Sequence, residues 1–166
     1  LRGREWEKFK ESHVLFHKIT GEGSMSEKID AILNSGGKMI TTTDKLRRGI
    51  PWGGWSPGPD MESGGANYFF TRIKGNRYNS YGLYWKVDHL KRLDAISYDS
   101  DLYGRVYGDS VIVNRKSTIN DFKNISSMSG NETIFKDGLS LFDKLDKILV
   151  PPHEREAVIE AFRRHG

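Results

Sequence analysis

The chain contains no cysteine. Disulfide bridges, thiolate metal sites and cysteine nucleophiles are thereby excluded, while the compartment stays open, because secreted domains also fold without bridges. No run of residues is long and apolar enough to span a bilayer as a helix. The opening segment, Leu1 to Lys10, is charged and lacks the apolar centre of a signal peptide. No Gly-x-Gly-x-x-Gly opens a helix after a strand, no phosphate-loop lysine motif occurs, and no serine sits in a Gly-x-Ser-x-Gly setting. Internal repeats and low-complexity tracts are missing too. The chain does not open on Met, and we expect a domain excised from a longer protein.

What is present has the size of one domain. A chain of 166 residues buries roughly 70% of its unfolded surface on folding, so a single core suffices without staples. We therefore expect one domain over 1–166. The formal charge of +4 suits an anionic ligand such as a dinucleotide or a nucleic acid. Eighteen glycines and seven tyrosines imply many turns and many half-buried aromatic positions, which favours sheet over helical bundle.

The pattern along the chain predicts an α+β domain. Arg2 to Lys10 reads as a short helix with Trp6 and Phe9 on one face. His13 to Thr20 reads as the first strand. A helix follows Ser26, carries Ile29, Ile32 and Leu33 at helical spacing, and ends in a left-handed cap at Ser35-Gly36-Gly37. Lys38 to Thr43 is a short strand. Lys45 to Gly65 is a long loop with Pro51, Pro57 and Pro59 as corners and Trp52 and Trp55 as packing groups, the composition of a functional loop or lid. Strands are expected over Ala66–Ile73, Gly82–Leu90, Ala95–Tyr98, Val106–Asn114, Glu132–Lys136 and Lys147–Val150, with Leu141–Leu145 short and mixed. Thr118 to Asn124 is a short helix. Glu154 to His165 is a closing amphipathic helix with Val158, Ile159 and Phe162 inward. One early helix followed mostly by strands points to a mixed or antiparallel sheet, since a doubly wound parallel sheet needs more helices.

Three segments place one polar group inside an apolar strand: LFHKIT with His17, SGGANYFFTRI with Tyr68, and GNETIFK with Glu132. A histidine or glutamate in such a setting must be hydrogen-bonded or face a cleft. His13 and His17 have the spacing of an HxxxH pair, but on a strand that spacing makes no clean two-point metal grip. No metal is expected.

The order of these segments resembles the catalytic core of the ADP-ribosyltransferases, in the His-Tyr-Glu branch of the poly(ADP-ribose) polymerases and diphtheria-type toxins. LFH followed by EKIDAILNSGG is similar to that branch's apolar-apolar-His strand and its helix ending in ILxxG. GGANYFF matches its Gly-x-Tyr-Phe strand, and Asn131-Glu132-Thr133-Ile134-Phe135 its late Asn-Glu strand. The resemblance spans about His13 to Val150 and implies a split β-sandwich with a few flanking helices and an NAD cleft. It implies Glu132, His17 and Tyr68 as the catalytic set. Glu132 would stabilise a cationic ribose and bond one of its hydroxyls, Tyr68 would stack on the nicotinamide, and His17 would bind the adenosine-side ribose. Lys18 stands where the polymerases often have glycine, a place whose backbone contacts the nicotinamide amide. Tyr78 and Tyr81 are the candidates for a second stacking ring. Arg47 and Arg48, with Lys45, are the candidates for the pyrophosphate.

NAD is then the substrate, and the acceptor is a protein or nucleic acid. Gly130 occupies the place where arginine-modifying members carry a second glutamate, which disfavours arginine as acceptor. Hydrolysis of NAD by water on the same fold is the nearest alternative. A non-catalytic module for ADP-ribose or nucleic acid, suggested by the aromatics of WGGW and YNSYGLYW, is the other. The resemblance extends to toxin modules delivered as part of larger secreted proteins, which implies a soluble, non-membrane protein with an immunity protein as partner.

Overall fold

The computed structural model describes residues 2–19, 23–39, 68–99 and 112–165. The expected loop at Lys45–Gly65, with Arg47, Arg48, Trp52 and Trp55, lies outside them, as do most of Lys38–Thr43 and of Val106–Asn114.

Helix α1 (Arg2–Ser12) turns Trp6 and Phe9 to one side, where their rings stack at 5.6 Å between centroids. It runs straight into β1 (His13–His17), whose central three residues are buried. Helix α2 (Met25–Asn34) is capped by Ser24, whose hydroxyl accepts from the Glu27 amide, two residues earlier than the sequence pattern suggests. Ser26 is engaged elsewhere: its N–H and hydroxyl both donate to Glu154, at 3.0 and 3.2 Å. The other end of α2 is the expected left-handed stop. The Gly37 amide donates to Ile32 and the Gly36 amide to Leu33, with φ of +73° and +113° at the two glycines.

The remaining elements are β2 (Lys38–Met39), β3 (Phe69–Gly75), β4 (Gly82–Lys86), β5 (Ala95–Tyr98), β6 (Ile112–Val113), α3 (Ile119–Ser126), β7 (Glu132–Phe135), β8 (Leu139–Ser140), β9 (Leu145–Leu149) and α4 (Arg155–Arg164). The strand expected over Gly82–Leu90 stops at Lys86. Val87–Lys91 is a turn of 3₁₀ helix that buries both Val87 and Leu90, so the apolar spacing there is helical. Leu139–Ser140 pairs with β2 where a short mixed piece was expected over Leu141–Leu145, and β9 begins at Leu145.

Seven strands form one sheet in the order β6-β5-β7-β3-β1-β4-β9, and β2 with β8 forms a two-stranded ribbon. Every described pairing is antiparallel. The described residues thus form a mixed α/β arrangement of four α-helices with an antiparallel sheet. All four helices contribute to one core on a single face of that sheet, with Phe9, Ile29, Leu33, Phe122, Ile125, Val158 and Ala161 meeting Leu15, Phe69, Ile73, Leu83, Trp85 and Phe135. Val158 and Ala161 are the buried positions of α4, while Ile159 and Phe162, also expected inward, are only partly buried. The other face carries two separate aromatic groups, one around Phe16 and Tyr84, the other around Tyr98 and Ile134.

The Glu154 contact ties the start of α2 to the segment that leads into α4, and Arg164 closes the far end of the same helix pair on Asp30 at 2.9 Å. Hydrogen bonds from the Ser26 backbone hold the Glu154 carboxyl below the usual glutamate range. A depressed carboxylate pKa stabilises the fold above the unfolded value, about 4.3 for glutamate, and that contribution disappears as pH falls through the lower folded value. The melting temperature of the protein should therefore fall on acidification below about pH 4.3, and Glu154→Gln should flatten part of that slope while lowering the neutral-pH melting point. An unchanged slope in Glu154→Gln would show that other carboxylates carry it.

Candidate functional site

Strand β3 is shared unequally between its neighbours. Residues 72 to 75 pair with β1, whereas 69 to 71 pair with β7. The ladder to β1 ends at Phe16–Arg72, and the side chain of the next residue takes over: His17 Nδ1 lies 2.8 Å from the Phe70 carbonyl. A carbonyl only accepts, so Nδ1 carries a proton and donates this bond. Phe69 packs against the same imidazole at 4.5 Å between centroids and against Trp85 at 6.0 Å. The bond holds the His17 ring at the place where β3 changes from pairing with β1 to pairing with β7.

The partner strand ends with a comparable substitution. Continuing the register of Thr71–Thr133 puts Asn131 opposite Ile73 and Glu132 opposite Arg72. The Asn131 side chain makes the contacts that a further strand residue would make. Its Oδ1 accepts from Ile73 N–H at 2.9 Å, and its Nδ2 donates to the Ile73 carbonyl at 3.1 Å and to the Met128 carbonyl at 2.7 Å. Asn131 is 1% exposed, and Glu132 follows as the first residue of β7 at 8%.

Directly paired residues share a sheet face. The pairs Tyr84–Phe16, Phe16–Arg72 and Glu132–Tyr98, joined by the Arg72–Glu132 step, form one row across five strands. Within that row an Arg72 guanidinium nitrogen lies 3.8 Å from Glu132 Oε1. Tyr98 is 2% exposed; burial first, and then the nearby Tyr68 phenol, hold its hydroxyl above the usual tyrosine range, so it is a neutral donor at physiological pH. Tyr68, just before β3, packs with Tyr98, Ile134 and Phe70.

The structure thus brings Tyr68 and Glu132 to one face of the sheet through Tyr98. His17 pairs with Leu83 and so alternates onto the Leu15 side of β1, while its ring bonds the β3 backbone two residues from Tyr68. On the core side, beneath the row, Thr71 donates to the Thr133 carbonyl at 2.9 Å and the Ser97 and Thr133 hydroxyls meet at 2.8 Å. These buried bonds tie β3, β7 and β5 together beneath Glu132 and Tyr98.

Lys18, Tyr78 and Tyr81, singled out from the sequence, line one hollow of about 380 Å³ with Asn79 and Ser80, directly after His17. The Tyr78 ring is held edge-on against Phe16 at 4.9 Å and beneath Lys74 at 4.8 Å, whereas Tyr81 is half exposed. A larger groove of about 450 Å³ opens at the other end of β1, between Lys10, His13, Lys86, Asp88 and Lys147. Its cations and carboxylates alternate, Lys10 is paired with Asp88 and Glu7, and it is one strand length from the motif residues. We place the candidate site at the Lys18 hollow and the divided β3. Arg47 and Arg48 lie outside the described residues. Among the described residues no group of three or more His, Asp or Glu is arranged to hold a metal ion, and no helix is long and apolar enough to cross a membrane.

Arg72, Tyr98 and the fixing role of Asn131 were not singled out from the sequence. Arg72 and Asn131 both stand inside the quoted motifs, but only the register between distant strands puts Arg72 and Tyr98 on either side of Glu132 and Asn131 opposite Ile73.

No family model, curated protein or solved structure matches the chain.

Proposed function

We propose that this chain is an NAD-dependent ADP-ribosyltransferase. The observation that supports the reading is the adjacency of β1, β3 and β7, which brings the segments of His17, Tyr68 and Glu132, far apart in sequence, side by side, with Tyr68 and Glu132 on one face of the sheet, His17 on the other, and Glu132 buried 3.8 Å from the Arg72 guanidinium. The unequal sharing of β3 supports a split β-sandwich, because each half of that strand belongs to a different ladder.

In the reaction the bond between C1′ of the nicotinamide ribose and the ring nitrogen breaks. Nicotinamide leaves with the bonding electrons and becomes neutral. The acceptor's lone pair forms the new bond at C1′, and the acceptor's proton goes to solvent. The ribose is most cationic between these events. Glu132 supplies the fixed negative charge for that moment. Tyr68 presents a π face to the cationic nicotinamide ring, and the hollow of Lys18, Tyr78 and Tyr81 takes a flat aromatic group. The acceptor is a protein or nucleic acid, and an immunity protein that covers the hollow fits the toxin-module reading.

Incubation of the protein with adenine-labelled NAD and a cell lysate tests this directly. Label on macromolecules, sensitive to Glu132→Gln, is the expected result. Free ADP-ribose alone would make the protein an NAD glycohydrolase. NAD bound but never consumed would make it a binding module and overturn the proposal.

A further inference from the structure

We propose that Asn131 is a positioning residue for the Glu132 carboxylate, acting by locking the first residue of β7 to β3 through the Ile73 main chain; the inference rests on the transferase reading. A carboxylate that stabilises a short-lived cation must be held in place before the cation forms, because reorganisation during the reaction forfeits the stabilisation. Glu132 pairs with Tyr98 of β5 but lies beyond the last ladder pair between β7 and β3. It is a strand-terminal residue, preceded by the turn Ser129-Gly130, and strand ends fray. Its carboxylate lies 3.8 Å from the Arg72 guanidinium.

Asn131 supplies what the ladder does not. Its amide bonds both main-chain groups of Ile73 and the Met128 carbonyl, three contacts between 2.7 and 3.1 Å. One planar side chain thus pins the turn, the β3 backbone and the start of β7 together. Ile73 is itself immovable, 1% exposed in the core. The lock acts on the residue adjacent to Glu132 and, through Ile73, on Arg72 beside it. Other side chains of similar size fail for definite reasons. Aspartate keeps the acceptor for Ile73 N–H but sets a carboxylate against two carbonyls. Alanine removes all three bonds and leaves Ile73 N–H and C=O buried and unsatisfied.

The test compares wild type, Asn131→Ala, Asn131→Asp and Ile29→Ala, a control that loosens the core at α2 away from the site. NAD turnover is measured well below each melting temperature, and amide exchange is followed at Ile73. A displacement of about 1 Å at a reacting centre costs about 10²-fold in rate, so both Asn131 variants should lose kcat by about that factor, with KM for NAD changed by no more than about twofold. Ile29→Ala should keep its kcat. The Ile73 amide should exchange fast in Asn131→Ala and stay protected in Asn131→Asp, which retains the acceptor; Asn131→Asp is the variant to read if Asn131→Ala does not fold. Near wild-type kcat in an Asn131 variant would reduce Asn131 to a structural seal and overturn the proposal. So would a kcat loss in Ile29→Ala as large as theirs. Unchanged Ile73 exchange in Asn131→Ala would overturn the lock itself, whatever the activity. A wild type that consumes no NAD would sink the transferase reading and the positioning role with it, and the exchange data would still report the lock separately.

Discussion

Glu132→Gln is expected to lower NAD turnover by about 10²–10³-fold while leaving the fold and NAD affinity nearly intact. The substitution preserves the shape of the side chain and one carbonyl oxygen. It removes the negative charge, and that charge has most to act on when the ribose is cationic, so the loss falls on kcat more than on ground-state binding. Stability should change little. The contact to Arg72 is long and the arginine is part-exposed, and pairs of that kind contribute about 0–1 kcal/mol. The Tyr98 and Asn131 contacts around the position do not depend on the charge. Melting temperature, NAD affinity and turnover need to be measured on one preparation. A glutamine variant that folds, binds NAD and turns over within a few-fold of wild type would remove Glu132 from the mechanism, and the main support for a transferase with it.

Trp85→Ala is expected to destabilise the fold by about 3–5 kcal/mol, a shift of about 10 °C in melting temperature for a domain of this size. Trp85 is fully buried in the middle of β4, its Nε1–H donates to the Ser140 carbonyl at 2.9 Å, and its ring meets Phe69 edge-on. Truncation leaves a cavity and an unsatisfied carbonyl. Phe69 is the ring on which His17 rests, so the folded fraction should also bind NAD more weakly. Trp85→Phe keeps most of the ring and loses the hydrogen bond, and should cost about 1–2 kcal/mol. Equal melting points for the alanine variant and wild type, read by calorimetry, would contradict the described core.

The sequence made some of this legible. Strand β5 and the cores of β1, β7 and α3 follow from runs of apolar residues bounded by turn formers, and the Gly36-Gly37 stop from the need for left-handed backbone after a helix. The motif residues were legible as polar groups in apolar strands. Misreadings arose where two local patterns competed. Val87 to Leu90 has an apolar pair three apart that alternation does not distinguish from a strand end. Ser26 has the composition of a cap but is bonded to Glu154, 128 residues away, so Ser24 caps instead. The same limit hid Arg72 and Tyr98. Their importance comes from standing opposite Glu132, and register between distant strands is set by the packed sheet.

The division of β3 has a consequence in time. Its two halves are claimed by segments that lie far from it along the chain, with 53 residues between His17 and Phe70 and 58 between Asn131 and Ile73. Chains whose sheets depend on such distant closures fold in milliseconds to seconds, roughly, because loop entropy is lost before the contacts repay it. Strand β7 pairs with β3 over three residues and with β5 over four, so its placement needs two such closures. A refolding experiment is therefore expected to show the tryptophan fluorescence change of core burial no later than any recovery of NAD turnover, and turnover that returned first would contradict this order.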